Sequence, residues 1–234
     1  MQVYRPQATR ETTAAALGGL GREVVRLATG PMPTADALAS LLIDCTEIGS
    51  GLIDEISPAR DDVEPRSVAL EHAMRTCAGA WVAAIAGDEI AVRRRLRALR
   101  KLIEDAAAEV APSFTRRVSE GFAYYALLPE AYETVARELA RHLRGRRCLC
   151  VGVRTIGASL GAIVAATLER EGMDAWFTTV RPRGHPFARV VEIGPLLQAW
   201  WSTRRDELFL IVDEGPGLSG TSMTSVSVGS IGTS

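Results

Sequence analysis

The sequence lacks the features that mark several large classes of protein. None of its apolar runs approaches the roughly 18 residues of a membrane-spanning helix, and its N-terminus lacks the apolar core of a signal peptide. The net charge of −1 gives no general reason to expect nucleic acid or a membrane surface as a partner. We therefore expect a cytoplasmic protein that binds no membrane, and we do not expect nucleic acid as a ligand.

Cysteine and histidine are too few and too scattered to predict a metal centre. The four cysteines are Cys45, Cys77, Cys148 and Cys150, and the three histidines do not supply a second ligand pair at metal-site spacing. Cys148 and Cys150 fall in one predicted strand, so both side chains face the same side of it. Buried thiols in a reducing compartment account for all four.

The remaining composition is that of an ordinary globular protein. Of 234 residues, 47% are hydrophobic and 24% are charged, which is enough for one large or two small domains. Apolar residues recur at helical spacing early in the chain, whereas strands and helices alternate later. We predict an α/β fold, with an N-terminal helical region followed by a partial parallel-sheet core. The predicted units are a helical region over 1–118, a lead-in segment and helix over 119–146, a core over 147–223 and a disordered tail over 224–234.

The helical region contains one face that could contact an acidic partner. Helices are predicted from the N-cap Thr34 to about residue 56, and over 66–86, 89–110 and 129–144. The basic face of the 89–110 helix comprises Arg93, Arg94, Arg97, Arg100 and Lys101. Acidic residues follow four positions after Arg100 and Lys101, so we interpret this face as a solvated surface.

The later part of the chain predicts a parallel sheet. Strands are predicted over 147–153, 175–180 and 208–212, with helices over 157–171 and 195–205 between them. Such alternation is typical of parallel strands joined by crossover helices. In sheets of this kind ligands bind at the carboxyl ends of the strands, so the loops that follow each strand are the candidate sites.

The loop after the last predicted strand carries the strongest signal. Asp213 and Glu214 follow the strand directly, and Gly, Ser and Thr dominate residues 215–222. Adjacent acids can hold ribose hydroxyls or a metal, while backbone N–H groups and hydroxyls can bind a phosphate. Together they point to a ligand with both a sugar diol and a phosphate. A plain turn after a core strand would need neither the acid pair nor the run of hydroxyl-bearing residues.

Two common motifs fit this loop only in part. The spacing of Gly215, Gly217 and Gly220 matches the dinucleotide fingerprint, which also needs a later acid, and none follows Glu214. The stretch beginning at Gly215 also has the spacing of an NTPase phosphate loop, but Thr221 stands where the lysine should be. Neither motif explains the acid pair.

The segment resembles the diphosphate-sugar signature of type I phosphoribosyltransferases, in which paired acids after an apolar strand precede a loop ending in Thr-Gly-x-Thr. The corresponding end here is Ser219-Gly220-Thr221-Ser222, and the resemblance covers about residues 147–222. It implies that Asp213 and Glu214 contact the ribose hydroxyls of phosphoribosyl diphosphate. The implied 5′-phosphate cradle comprises Gly215, Gly217, Leu218, Ser219, Gly220, Thr221 and Ser222.

Two upstream loops match the family by position. After the first predicted strand, the resemblance implies a diphosphate-binding loop of Arg154, Thr155, Gly157 and Ser159, although an ordinary capped turn is the alternative. After the second strand, it implies a lid carrying Arg181, Arg183 and His185, with a solvated basic loop as the alternative.

The resemblance implies an enzyme that transfers the phosphoribosyl group from its diphosphate to a base or amine. The implied catalytic residues are Asp213, Glu214 and Arg154, with Mg²⁺ held mostly by substrate oxygens and no dedicated protein metal ligands. Two alternatives remain open from the residues. One is a sensor that binds the same ligand without turnover, and the other is a helical interaction protein with a remnant α/β core.

The C-terminal segment departs from the resembling family, whose core continues with a further helix and strands. Residues 224–234 hold no charged residue and few apolar ones, which predicts a disordered tail and an apparently truncated core. The last predicted strand would then have an open edge. An open edge invites pairing with a second copy of the chain, so a homodimer is a predicted partner state.

Overall fold

The computed structural model describes residues 8–106, 110–185, 188–215 and 226. The first elements are β1 (Ala8–Thr12), α1 (Thr13–Thr29), α2 (Ala35–Ile56), α3 (Pro65–Ile85), α4 (Glu89–Ala106), β2 (Ser113–Arg117), α5 (Glu120–Tyr124) and α6 (Pro129–His142). They are followed by β3 (Arg147–Val153), α7 (Ile156–Arg170), β4 (Asp174–Val180), β5 (Pro182–His185), β6 (Ala188–Val191), α8 (Pro195–Ser202) and β7 (Leu208–Val212).

A small parallel sheet confirms the predicted α/β class. Its three strands lie in the order β4-β3-β7, and Val151 in the central strand pairs with Thr178 on one side and Ile211 on the other. From β3 the chain crosses through α7 to β4, and it later returns to the opposite side of β3 as β7. The connections that leave β3 and enter β7 therefore run to opposite sides of β3, so the strand order reverses between β3 and β7.

Each face of the sheet packs against helices. Cys148 and Cys150 of β3 belong to the large core shared with α1 to α4 and α7. Leu149 and Val151, one residue out of phase, belong to a second cluster that includes Trp201 of α8. This alternation confirms that both cysteines point to one side of the strand, and all four cysteines are buried free thiols. The helical region and the sheet thus share one continuous core.

Local signals explain where several helices begin. The Thr34 hydroxyl accepts a hydrogen bond from the Ala37 N–H at 3.2 Å, so it caps α2 as predicted. Proline occupies the first position of α3, α6 and α8, where its missing N–H has no helical partner to lose.

Within the described ranges, no helix combines the length and apolarity needed to cross a bilayer.

Several predicted elements differ from the structure. The predicted 89–110 helix is described as Glu89–Ala106, and beyond it β2 pairs antiparallel with β1 in a two-stranded sheet that the sequence patterns did not predict. The predicted lead-in segment, which starts at residue 119, begins as the short helix α5. On the basic face of α4, Arg93 donates to the Ala28 carbonyl at 2.8 Å and Arg100 to Glu104 at 2.7 Å.

The predicted tail lies outside the described residues except for Val226. That side chain is fully buried in the second cluster, beside Val151 and Trp201. At this one position the structure differs from a loosely extended chain.

Candidate functional site

The reversal of strand order at the carboxyl ends of β3 and β7 marks the expected position of a ligand crevice. Ligands of open α/β sheets bind where neighbouring connections leave the sheet in opposite directions. Here the turn at Thr155 leads into α7, and Asp213 follows β7. The structure therefore brings the first predicted ligand loop close to the start of the third, at Val212 and Asp213.

Two glycines allow the backbones at this crevice to approach closely. A Cβ on Gly157 would overlap the carbonyl oxygen of Val212, and a Cβ on Gly152 would overlap the carbonyl of Gly157. The N-terminus of α7 consequently lies directly against the end of β7. No larger residue fits at Gly157 without moving one of these backbones.

The acid pair is held at the end of β7 by its surroundings. The Glu214 N–H donates to Asp213 Oδ1 at 2.9 Å, and the Tyr132 hydroxyl donates to the Asp213 carbonyl at 2.9 Å. Glu214 Oε2 lies beside Gly121 of α5, 2.6 Å from where a Cβ would be. Tyr132 and Gly121 lie on elements that sequence analysis did not assign to the site.

Burial raises the pKa of both acids. It raises the pKa of Asp213 to about 6, an effect strengthened by the charge of Glu214 and opposed by the Glu214 N–H and by Arg189. Burial and the neighbouring Glu120 also raise the pKa of Glu214. A bound cation or hydrogen-bond donor would favour the ionised forms.

Arg154 does not occupy the open position predicted for it. Its side chain is only 1% exposed, and it pairs with Asp61 and, at 3.1 Å, with Asp54. Its Nη1 donates to the Thr179 hydroxyl at 2.9 Å and to the Thr179 carbonyl at 3.2 Å. A buried guanidinium requires such partners, because an unpaired buried charge is very costly. The Arg154 side chain is therefore part of the scaffold, whereas the prediction placed it against diphosphate.

The predicted lid is an antiparallel hairpin, β5–β6, which is anchored at its base. Arg181 lies 2.7 Å from Asp54, and its Nη1 donates to the Arg154 carbonyl at 2.9 Å. Burial and the charges of Arg154 and Arg117 lower the pKa of Arg181, while Asp54 opposes this. His185 is exposed near the tip of the hairpin.

Arg183 ties the hairpin to the loop between α2 and α3. Its guanidinium donates to the Ser57 carbonyl at 2.8 Å and to the Pro58 carbonyl at 3.1 Å. It also lies 3.1 Å from Asp61. Arg183 is therefore bound to the helical region, whereas the lid prediction expected it to face an anion.

Four arginines meet three acids beside this edge, and sequence analysis missed the acids. They are Arg117, Arg154, Arg181 and Arg183 with Asp54, Asp61 and Glu71. We call this set the arginine cluster. Burial raises the pKa of Glu71 to about 7, although hydrogen bonds from Thr179 oppose the rise. The sequence shows an acidic loop around Asp61, but no local pattern links it to strands nearly a hundred residues later.

The remaining predicted residues divide into three groups. Thr155 is half-buried at the crevice, and Arg181 Nη1 lies 3.5 Å from its hydroxyl. Ser159 is fully buried, and its hydroxyl lies 2.5 Å from the Thr46 hydroxyl on α2, so it faces away from the crevice. Gly215 is described, whereas the rest of the predicted phosphate cradle, residues 216–222, lies outside the described residues.

The described ranges contain no group of three or more His, Cys, Asp or Glu side chains arranged to hold a metal by themselves. The acid pair at the end of β7 could contribute oxygen ligands, which suit Mg²⁺, but most of the coordination would come from a bound ligand.

The site thus consists of acids at the β7 end, the α7 N-terminus in the centre, and arginines at the β4 end. Comparison of the chain with protein-family models, curated proteins and solved structures found no match.

Proposed function

We propose that this protein binds phosphoribosyl diphosphate with Mg²⁺ and transfers the phosphoribosyl group to a base or amine. The observation that carries the proposal is the distribution of charged groups along the carboxyl ends of the three parallel strands. Asp213 and Glu214 follow β7, whereas Arg181 follows β4, and the N-terminus of α7 lies between them. A ligand with a diol at one end and an anion at the other matches this order.

Each part of the edge has a distinct role in the proposal. Asp213 and Glu214 accept hydrogen bonds from the ribose hydroxyls. The Thr155 hydroxyl and the first N–H groups of α7 donate to the diphosphate, supported by the partial positive charge at the helix N-terminus. Arg181, which is paired with Asp54, is the guanidinium nearest the diphosphate on the β4 side, and Arg154 acts as a positioning residue behind it.

The proposed reaction is a displacement at the anomeric carbon. The bond from that carbon to the diphosphate oxygen breaks, the acceptor nitrogen forms the new bond, and its proton passes to solvent. The side chains position the reactants and stabilise the charge on the leaving group, which are the main contributions available to such a site. Mg²⁺, when bound with the substrate, would neutralise part of the diphosphate charge.

Ligand sensing without turnover is a second candidate function. It is favoured by the ion pairs of Arg154, Arg181 and Arg183 with Asp54 and Asp61, because these leave little unpaired positive charge to stabilise a leaving diphosphate. Both candidates require binding, and only the enzyme releases diphosphate when an acceptor is added.

We expect Asp213→Asn to weaken binding of the Mg²⁺ complex of phosphoribosyl diphosphate by about 10- to 100-fold, since hydrogen bonds to a charged group are worth roughly 1.5–3 kcal/mol. Calorimetry measures the affinity, and a panel of bases and amines tests diphosphate release. Asp206→Asn, at an exposed acid shortly before β7, is the matched control and should bind like the unaltered chain. Equal affinity in the two variants would contradict the proposal.

The affinity is also expected to depend on pH through Asp213. Its pKa is raised to about 6 by burial, so the carboxyl is mostly protonated at pH 5 and mostly ionised at pH 7. Because the ionised form accepts the hydroxyl hydrogen bonds, affinity should rise with pH by about tenfold over this range. The ligand titrates as well, so the measured quantity is the difference from Asp213→Asn at each pH. An unchanged difference would contradict the assigned role.

A further inference from the structure

A second candidate binding site is a cleft between α1 and α4, which we call the α1–α4 cleft. It has a volume of about 710 Å³, within the range of sites for small molecules. None of its lining residues belongs to the sheet edge described above. Its walls are largely apolar and include Leu17, Val25 and Ile103.

Two glycines open the floor of the cleft. Gly18 and Gly21 lie about one turn apart on the face of α1 that lines it. A Cβ at Gly21 would have its nearest neighbour, the Ile103 Cγ2 atom, 3.9 Å away, and one at Gly18 would be 3.5 Å from the flexible end of Arg22. There is therefore room above both positions, and a large side chain at either would fill the cleft.

The cleft is elongated along α1. From Thr13 to Val25 it follows α1 for more than three turns, roughly 18 Å of helix axis. This length suits an extended chain better than a compact ring.

The charges at the rim favour an anionic end group. Arg100 is paired with Glu104 at 2.7 Å, and both line the cleft. Arg22 also lines it, is exposed, and makes no ion pair or hydrogen bond with any described residue. The rim thus has one cation in excess beside an apolar channel.

We propose that the α1–α4 cleft binds an unbranched apolar monocarboxylate of the fatty-acid class. The chain lies over Gly18 and Gly21, and the carboxylate pairs with Arg22. Burial of the chain supplies most of the affinity, and Arg22 selects for the acid over the corresponding alcohol.

Calorimetry of the full chain with octanoate, decanoate and dodecanoate tests the proposal. Affinity should increase by about fourfold for each added methylene, as expected for burial of apolar surface. Gly21→Leu should reduce dodecanoate binding by more than tenfold, and Gly18→Leu should do the same from the neighbouring turn. Arg22→Gln should weaken binding of dodecanoate but not of dodecanol.

Ala15→Leu is the matched control, since it lies on α1, is exposed and does not line the cleft. It should bind dodecanoate like the unaltered chain. Leucine favours helix more than glycine does, so thermal unfolding should show that both blocking variants remain folded. Unaltered binding in the blocking variants, or equal binding of acid and alcohol, would overturn the proposal. Self-association that Gly21→Leu abolishes would also overturn it, because the cleft would then hold a second copy of the chain.

Discussion

Asp61→Ala is expected to lower the free energy of unfolding by about 3–5 kcal/mol, the cost of removing one partner from a buried ion pair. The Asp61 carboxylate pairs with Arg154, whose side chain is 1% exposed, and lies 3.1 Å from Arg183. It also accepts a hydrogen bond from the Arg181 N–H at 2.7 Å. Alanine would leave Asp54 as the one direct ion-pair partner of Arg154 among the described residues, and it would release the base of the β5–β6 hairpin. Denaturant unfolding monitored by circular dichroism measures the loss.

Two further variants separate charge from packing at this position. Asp61→Asn keeps an acceptor oxygen and should lose less stability than Asp61→Ala. Asp174→Ala, at an exposed acid that begins β4, should change the free energy of unfolding by less than about 0.5 kcal/mol. A loss below about 1 kcal/mol in Asp61→Ala would show that the arginine cluster does not depend on this carboxylate.

Gly157→Ala is expected to reduce both stability and ligand binding. The added methyl would overlap the carbonyl oxygen of Val212, which is backbone and cannot rotate away. Overpacking of this kind costs roughly 1–3 kcal/mol. This overlap can be removed only by separating α7 from the end of β7. That movement would displace Asp213 relative to the N-terminus of α7. Calorimetry with phosphoribosyl diphosphate and Mg²⁺, together with thermal unfolding, measures the two effects.

Gly19→Ala is a contrasting substitution in α1, where the added methyl has room and is expected to raise stability. Its nearest neighbour would be Arg22 Nη2 at 3.9 Å, so the methyl meets no obstacle. We expect this variant to be more stable by roughly 0.5–1 kcal/mol, because alanine favours helix over glycine. If Gly157→Ala gained stability in the same way, the close approach of α7 and β7 would not constrain the site.

Sequence patterns predicted the elements whose signals are local. The alternation of strands and helices predicted the parallel sheet, and the ends of β3 and β7 agree with the structure to the residue. The two-stranded sheet of β1 and β2 was missed because it pairs residues far apart in the chain, such as Thr12 and Ser113. Each strand is only five residues long, too short for alternation to stand out.

The positions of site residues at strand ends could be predicted from the sequence. The ion pairs between residues that are distant in the sequence could not. Asp213 and Thr155 were placed at one edge because parallel strands end together. Arg154 also follows a strand, and nothing in its own loop shows that Asp54 and Asp61 surround it. Its role depends on contacts across sequence separations of 100 and 93 residues. The role of loop 216–222 stays a prediction.

The arginine cluster has a consequence for the order in which the chain can fold. During synthesis α2 and the Asp61 loop emerge well before β3 and β4, so the acids are present before the arginines that neutralise them. The sheet can bury Arg154 and Arg181 only where the helical region supplies Asp54 and Asp61. A fragment beginning at residue 119 would lack Asp54, Asp61 and Glu71, and it would have to keep Arg154 in water. Burial of the cluster therefore has to wait for both regions, and we expect the two to unfold in one cooperative transition.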